Sequence, residues 1–112
     1  MDNPYSQVLV VDDEAVVRTG IARVLEGQGL SVRMAADGSS ALEIMEAETI
    51  DIVLIDIKMP GMDGIEVLKH IHTNYPETAV IMITGYPTIE TAVESIKLGA
   101  IDYLTKPFRV DE

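Results

Sequence analysis

Four consecutive apolar residues followed by an acidic one, Ile52-Val53-Leu54-Ile55-Asp56, form the stretch from which the fold can be read. Three of the four apolar residues are β-branched, which favours a strand, and no polar residue interrupts them. A strand that is apolar on both faces needs cover on both faces, as in the centre of a parallel sheet. Two further runs share this character, Val8-Leu9-Val10-Val11 and Val80-Ile81-Met82-Ile83. The sequence therefore predicts three central parallel strands.

Two weaker strands complete the predicted sheet. Val32-Arg33-Met34 alternates between apolar and polar residues, as expected of an edge strand with one face in water. Tyr103-Leu104 is the fifth predicted strand. Helical segments separate the strands, and this alternation is typical of a parallel sheet with helices on both faces. We therefore predict one α/β domain.

Each predicted helix has a recognisable start or end. The first ends at Gly27, and the pair Ser40 and Glu43 predicts a capping box for the second. Asp63 and Thr88 are predicted to cap the third and fourth helices. The apolar stripes comprise Val16, Val17, Ile21, Val24 and Leu25 in the first helix, Leu42 and Met45 in the second, Ile65, Leu68 and Ile71 in the third, and Ile89, Ala92, Val93 and Ile96 in the fourth.

Composition narrows the classes of function. At 112 residues the chain has room for one domain, and no apolar run approaches the roughly 20 residues that span a bilayer. The absence of cysteine excludes disulfides, thiolate nucleophiles and cysteine-ligated zinc, and it is compatible with the cytoplasm. The net charge of −11 repels phosphate backbones. We therefore expect a cytoplasmic domain that binds neither membrane nor nucleic acid directly.

Polar side chains follow the predicted strands at the point where each strand ends. Asp12 and Asp13 follow the first strand, Asp56 ends the third, Thr84 ends the fourth and Lys106 follows the fifth. Ligands bind at the carboxyl ends of the strands in an open parallel sheet. We therefore expect three carboxylates, a hydroxyl and an ammonium group to meet at one rim.

Three neighbouring carboxylates call for a cation. Two unit charges about 4 Å apart repel each other by roughly 4 kcal/mol at an effective dielectric constant near 20. Lys106 supplies only one positive charge, so the pattern predicts a hard divalent cation, and Mg²⁺ is the usual choice beside a phosphate. Asp56 would then attack phosphorus to form an acyl phosphate. Thr84 and Lys106 would contact the phosphoryl oxygens.

The chain resembles the receiver domain of bacterial two-component response regulators, and the resemblance covers essentially all of residues 1–112. Each motif lies at a predicted strand end, and together they are specific. The matching stretches are Val10-Val11-Asp12-Asp13-Glu14, Leu54-Ile55-Asp56-Ile57-Lys58-Met59-Pro60-Gly61-Met62-Asp63-Gly64, Ile83-Thr84-Gly85 and Tyr103-Leu104-Thr105-Lys106-Pro107-Phe108.

This resemblance implies a flavodoxin-like, doubly wound sheet of five parallel strands in the order 2-1-3-4-5. It also implies that Asp56 is the phosphoacceptor and that Asp13, Asp56 and the backbone carbonyl of Lys58 ligate Mg²⁺. Asp12 would act mostly through a water molecule on the metal. Lys106 would precede a cis peptide bond to Pro107, which fixes the direction of its ammonium group.

The resemblance further implies how the domain signals. Thr84 and Tyr103 occupy the switch positions, where a hydroxyl moves to the phosphoryl group and an aromatic ring turns inward. A sensor histidine kinase or phosphotransfer protein would donate the phosphoryl group, and an output domain would receive the signal. We expect a phosphorylation-activated switch that controls transcription and is not an enzyme beyond its own phosphorylation and slow dephosphorylation. Homodimer formation stays open.

Three alternative functions fit the sequence less well than a phosphorylation switch does. A phosphatase of the haloacid-dehalogenase kind would carry a second Asp at the position of Lys58. A flavin-binding domain would need a phosphate loop where Asp12, Asp13 and Glu14 stand. A degenerate receiver that only binds partners would not keep the full set of acidic, hydroxyl and amine side chains.

Two features concern the rest of the molecule. The stretch from Gly85 to Val93, with Leu98-Gly99-Ala100, resembles receivers joined to ATPase modules that activate sigma-54 transcription, among them the nitrogen regulators. Phe108-Arg109-Val110-Asp111-Glu112 is predicted to open a fifth helix, which is cut short. We therefore expect the C-terminal helix and any output domain to be missing from residues 1–112.

Overall fold

The fold is an α/β sandwich, seen in a computed structural model that describes residues 7–59 and 61–106. Within these residues, strands and helices alternate as β1 (Gln7–Val11), α1 (Ala15–Gly27), β2 (Ser31–Ala35), α2 (Gly38–Ala47), β3 (Ile52–Asp56), α3 (Gly64–Asn74), β4 (Ala79–Thr84), α4 (Ile89–Lys97) and β5 (Asp102–Thr105). The five strands form one parallel sheet in the order β2-β1-β3-β4-β5. The predicted fold class, strand order and edge position of β2 are confirmed.

The register of the sheet places the strand ends side by side. Val11 of β1 pairs with Ile55 of β3, so the residues that follow β1 lie next to the end of β3. Thr84 of β4 pairs with Thr105 of β5. The carboxyl ends of four strands therefore form one continuous rim, as expected of an open parallel sheet.

The central strands contribute to a core on both faces of the sheet. Leu9 and Val11 point into the larger apolar cluster, which includes α2 and α3, whereas Val8 and Val10 point into a smaller cluster with α1. All four side chains are buried. This two-sided burial explains why the run is apolar without alternation.

The predicted start of α2 was wrong, whereas the other two predicted caps are confirmed. Asp37 caps α2, because its carboxylate accepts a 2.7 Å hydrogen bond from the Ser40 amide, and the helix begins at Gly38. The same hydrogen bond lowers the pKa of Asp37. Ser40 therefore lies inside the first turn and does not cap it. Asp63 caps α3 and Thr88 caps α4.

The apolar stripes predicted helices correctly but did not always predict burial. Ile65, Leu68 and Ile71 of α3 are buried as expected. In α1 and α4, by contrast, Val16, Val24, Ile89, Val93 and Ile96 are exposed. Among the described residues of α4, only Ser95 is buried.

Two predictions fall on residues that the structure does not describe. They are the Lys106–Pro107 peptide bond and the fifth helix at Phe108–Glu112. Among residues 7–59 and 61–106, no helix combines the length and the apolar character needed to cross a bilayer.

Candidate functional site

Three carboxylates meet at the rim of the sheet, as the sequence predicted. Asp12, Asp13 and Asp56 each offer an oxygen, and these oxygens lie within 4.8 Å of one another. Asp12 and Asp56 are 1% and 4% exposed, whereas Asp13 is exposed. Two of the three negative charges are therefore removed from water, which is costly unless positive charge offsets them.

Lys106 supplies the positive charge that the structure shows at this cluster. Its Nζ lies 2.8 Å from Asp12 Oδ2, 3.3 Å from Asp56 Oδ2 and 3.7 Å from Glu14 Oε1. Burial by itself would lower the pKa of Lys106, but the hydrogen bond with Asp12 and the charges of Asp56 and Asp12 outweigh it and raise that pKa. Lys106 is therefore held in its charged form between two buried carboxylates.

The pKa of Asp56 is raised although Lys106 lies beside it. Burial raises its pKa first, and the negative charge of Asp12 raises it further, while Lys106 acts in the opposite direction. Its Oδ1 also accepts a 3.3 Å hydrogen bond from the Lys58 amide. Burial and Asp12 together raise the pKa of Asp56 more than Lys106 and the Lys58 amide lower it. An oxygen-only donor set with excess negative charge fits a hard divalent cation.

Lys58, the remaining predicted metal ligand, stands two residues after Asp56 in the chain. Lys58 is exposed, and its Nζ lies 5.0 Å from the centroid of the Tyr86 ring. Its side chain is thus engaged in a cation–π contact at the outer edge of the rim. Its backbone amide donates the hydrogen bond to Asp56, and the ligation of Mg²⁺ by its backbone carbonyl stays a prediction.

Thr84 lies at the end of β4 and is 1% exposed. Its Oγ1 accepts a 3.0 Å hydrogen bond from the Tyr86 amide, and its carbonyl accepts one of 2.7 Å from the Lys106 amide. The backbone thus joins Thr84 directly to Lys106. Because Oγ1 acts as an acceptor towards Tyr86, its proton is available to another acceptor.

Tyr103, the other predicted switch residue, is half-buried on β5 and packs partly against the larger apolar cluster. Its hydroxyl lies 2.7 Å from Thr91 Oγ1 and accepts a long hydrogen bond of 3.4 Å from the Thr88 amide. Thr88 Oγ1 in turn caps α4 through the Thr91 amide. The Tyr103 hydroxyl is therefore tied to the first turn of α4.

A model of the response regulator receiver domain matches residues 8–112 of the chain. The chain belongs to the response regulator receiver domain family. The resemblance inferred from the motifs is thus confirmed, and the protein is a phosphorylation-controlled signalling switch of a two-component system.

Individual relatives agree with this assignment. The receiver domain is 44% identical over 107 residues to an NtrX-like response regulator of Rickettsia bellii (strain RML369-C), covering 94% of this chain and 22% of that protein. It is 43% identical over 112 residues to the transcriptional regulatory protein ZraR of Klebsiella oxytoca, covering 100% of this chain and 25% of that protein. The chain thus spans about a quarter of the length of these relatives.

A solved crystal structure has the same fold. The crystal structure of a response regulator protein from Burkholderia pseudomallei, with a phosphorylated aspartic acid, calcium ion and citrate, has a TM-score of 0.90 and 33% identity. The match covers 95% of this chain and 62% of that one. Receiver domains generally bind Mg²⁺ through an acidic pocket, which corresponds here to the cluster of three carboxylates.

Sequence reasoning missed one structural requirement of the receiver domain's rim. In the sequence, Asp63-Gly64 predicts only a turn and a helix cap. A Cβ at this position would overlap the backbone oxygen of Asp56 and lie 2.7 Å from Ile57 Cα. Glycine therefore lets α3 begin directly against the strand that carries Asp56. The motif Asp63-Gly64 was the only signal in the sequence, and it does not reveal the contact.

Proposed function

We propose that Asp56 is the phosphoacceptor of this receiver domain and that Mg²⁺ is held by Asp13, Asp56 and the Lys58 carbonyl, with Asp12 beside it. The observation that carries the proposal is the buried Asp56 carboxylate, which lies within 4.8 Å of carboxylate oxygens of Asp12 and Asp13 and 3.3 Å from Lys106 Nζ. The phosphorylated aspartic acid and the calcium ion in the Burkholderia pseudomallei relative support it.

In the proposed reaction a carboxylate oxygen of Asp56 attacks the phosphorus of a phosphohistidine. The O–P bond forms while the P–N bond breaks, and the electron pair of that bond stays on the imidazole nitrogen. Lys106 then ion-pairs with a phosphoryl oxygen, and the Thr84 hydroxyl donates a hydrogen bond to another. When bound, Mg²⁺ supplies positive charge that offsets the phosphoryl oxygens and the carboxylates.

The domain acts mainly on itself in this proposal. An efficient phosphatase of the haloacid-dehalogenase kind would place a second carboxylic acid two residues after the nucleophile, but that residue is Lys58. The ammonium group of Lys58 lies over Tyr86 and is no substitute for a general acid–base carboxylate. We therefore assign to Asp56 self-phosphorylation and slow self-dephosphorylation, without turnover of an external substrate.

The partners follow from the relatives. A sensor histidine kinase or a phosphotransfer protein donates the phosphoryl group, and an output domain beyond the receiver carries the response. Because ZraR is named a transcriptional regulatory protein and is about four times as long as the matched part, we propose a transcriptional output. The resemblance of the stretch from Gly85 to Val93 to receivers joined to sigma-54-activating modules leads us to propose that it is of this type. The domain would work in the cytoplasm without direct contact to nucleic acid or membrane.

The proposed readout is the surface formed by α4 and β5. Phosphorylation would draw the Thr84 hydroxyl towards Asp56. The hydroxyl would then lose the hydrogen bond that it accepts from the Tyr86 amide. Tyr103 would move in response and leave its hydrogen bond to Thr91. Such a change shifts a two-state surface, as required of a phosphorylation switch.

Chemical phosphorylation tests the assignment of Asp56. The chain is incubated with acetyl phosphate, with and without Mg²⁺, and the site of the label is mapped by mass spectrometry. We expect one phosphoryl group on Asp56 that requires Mg²⁺, and no label in Asp56→Asn. Asp51→Asn, which changes the aspartate directly before the first residue of the same strand, is the matched control and should be labelled normally. A label on another residue of the unaltered chain would refute the proposal.

A further inference from the structure

Arg18 of α1 reaches back to the end of β1. Its Nη1 donates a 2.7 Å hydrogen bond to the backbone carbonyl oxygen of Asp12. The other polar atoms of Asp12 are also engaged: its amide donates to Ala35, its Oδ1 accepts from the Glu14 amide, and its Oδ2 lies 2.8 Å from Lys106 Nζ. With the Arg18 contact, all four polar atoms of Asp12, the residue that precedes Asp13, have a partner.

The Asp13 side chain lacks such contacts among the described residues. Its side chain is exposed, and no hydrogen bond or ion pair among the described residues involves its carboxylate. Nevertheless, one of its oxygens lies within 4.8 Å of oxygens of Asp12 and Asp56. The carbonyl that Arg18 holds belongs to the peptide unit joining Asp12 to Asp13. The direction of Asp13 thus depends on a backbone unit that Arg18 orients.

The start of α1 differs from the starts of the other three helices, and Arg18 lies near it. α2, α3 and α4 are each capped by a side chain, from Asp37, Asp63 and Thr88 respectively. α1 has Glu14 at its N-cap without a side-chain hydrogen bond, and no acidic residue in its first turn. A cation near a helix N-terminus is disfavoured by the helix dipole. A residue that is found where the local preference disfavours it, as the helix dipole disfavours a cation here, is a candidate for a functional role.

From these contacts we infer that Arg18 is a positioning residue for the metal site: by holding the Asp12 carbonyl, it directs the Asp13 carboxylate towards the cation. This inference rests on the proposed Mg²⁺ site. Removal of a group that orients a metal ligand through a hydrogen bond typically lowers the metal affinity by about 10- to 100-fold.

Loss of the charge of Arg18 and loss of its positioning effect predict opposite changes in Mg²⁺ affinity. Arg18 carries a positive charge close to the cluster, so its neutralisation would by charge alone strengthen the binding of a cation. Loss of positioning would instead weaken binding. The sign of the change in Mg²⁺ affinity therefore separates the two effects.

The experiment is a titration of the chain with Mg²⁺ alone, followed by the NMR shifts of backbone amides around Asp13 and Asp56. Arg18→Met removes the donor and keeps an unbranched apolar side chain, and we expect its Mg²⁺ dissociation constant to rise about tenfold. Arg18→Lys keeps a charged donor and should bind Mg²⁺ more tightly than Arg18→Met does. Arg23→Met is the control, since Arg23 is an exposed arginine of the same helix.

The outcomes are distinct. Affinity in Arg18→Met that equals or exceeds that of the unaltered chain would overturn the role of Arg18, as would Arg18→Lys binding no better than Arg18→Met. Failure of the unaltered chain to bind Mg²⁺ would instead overturn the proposed metal site. If Arg18→Met does not fold, Arg18→Gln gives the same comparison with a neutral donor of shorter reach, and it too should bind more weakly.

Discussion

α3 and α4 carry similar apolar stripes and use them in opposite ways. Ile71 is the eighth residue of α3 and is 0% exposed, whereas Ile96 is the eighth residue of α4 and is 51% exposed. α3 buries its stripe in the larger apolar cluster. α4 instead buries Ser95, whose hydroxyl has no hydrogen-bond partner among the described residues. Similar periodicity therefore produces one helix of the core and one that lies on it.

This difference indicates which helix can respond to phosphorylation. Polar contacts hold the start of α4, through the Thr88 cap and the bond between Thr91 and Tyr103. A helix with little buried apolar surface and an unsatisfied buried hydroxyl is easier to move than one packed in the core. We therefore expect α3 to provide a rigid wall of the site and α4 to carry the change.

The largest expected effect compares the two equivalent isoleucines. Ile71→Ala should lower the free energy of unfolding by about 2–5 kcal/mol, because it leaves a cavity in the core. Ile96→Ala should change it by less than about 0.5 kcal/mol, because the side chain is half in water. Urea denaturation measures both values. Equal losses in the two variants would show that α4 is packed as firmly as α3.

A second comparison concerns the start of α3. Gly64→Ala should lower the free energy of unfolding by about 1–3 kcal/mol, because the added Cβ meets the backbone of Asp56 and Ile57. Gly20→Ala is the matched control, since a Cβ at this position of α1 has no neighbour within 4 Å. It should raise stability by about 1 kcal/mol through helix propensity. Thermal melts that show the same sign for both variants would contradict the close approach at Gly64.

The smallest expected effect lies at the start of α4. Thr91→Val and Tyr103→Phe should each cost about 1 kcal/mol, and the double variant should cost less than their sum because both remove the same hydrogen bond. Thr91→Ser keeps the hydroxyl and serves as the control. Strictly additive losses in denaturant titrations would mean that the two hydroxyls are not coupled.

The sequence was sufficient to predict the sheet and the rim. Runs such as Val8 to Val11 are buried on both faces of the sheet, and this burial leaves a mark in composition that needs no tertiary information. The residues that end the strands could then be placed, because parallel strands end at a common edge. Asp12, Asp56 and Lys106 were predicted together for this reason, and the structure brings them together.

Other features depended on information that the sequence does not carry locally. Asp37 and Ser40 are both good caps, so residue type alone could not decide between them. The stripe of α4 defined an amphipathic helix but not which of its faces packs on the sheet. The contacts of Arg18 with Asp12 and of Thr91 with Tyr103 depend on loop geometry and side-chain direction. No periodic pattern reports either one.

Hydrogen exchange before and after phosphorylation tests most directly the claim that chemistry at Asp56 moves α4 and spares α3. The domain is labelled with acetyl phosphate and Mg²⁺, and amide protection is followed along both helices. Phosphorylation should change protection in Ile89–Lys97 and around Tyr103, and leave residues 67–74 of α3 unaffected. Thr84→Ala should accept the phosphoryl group without this change in α4. An equal change in both helices, or none in α4 when Asp56 is phosphorylated, would contradict the account.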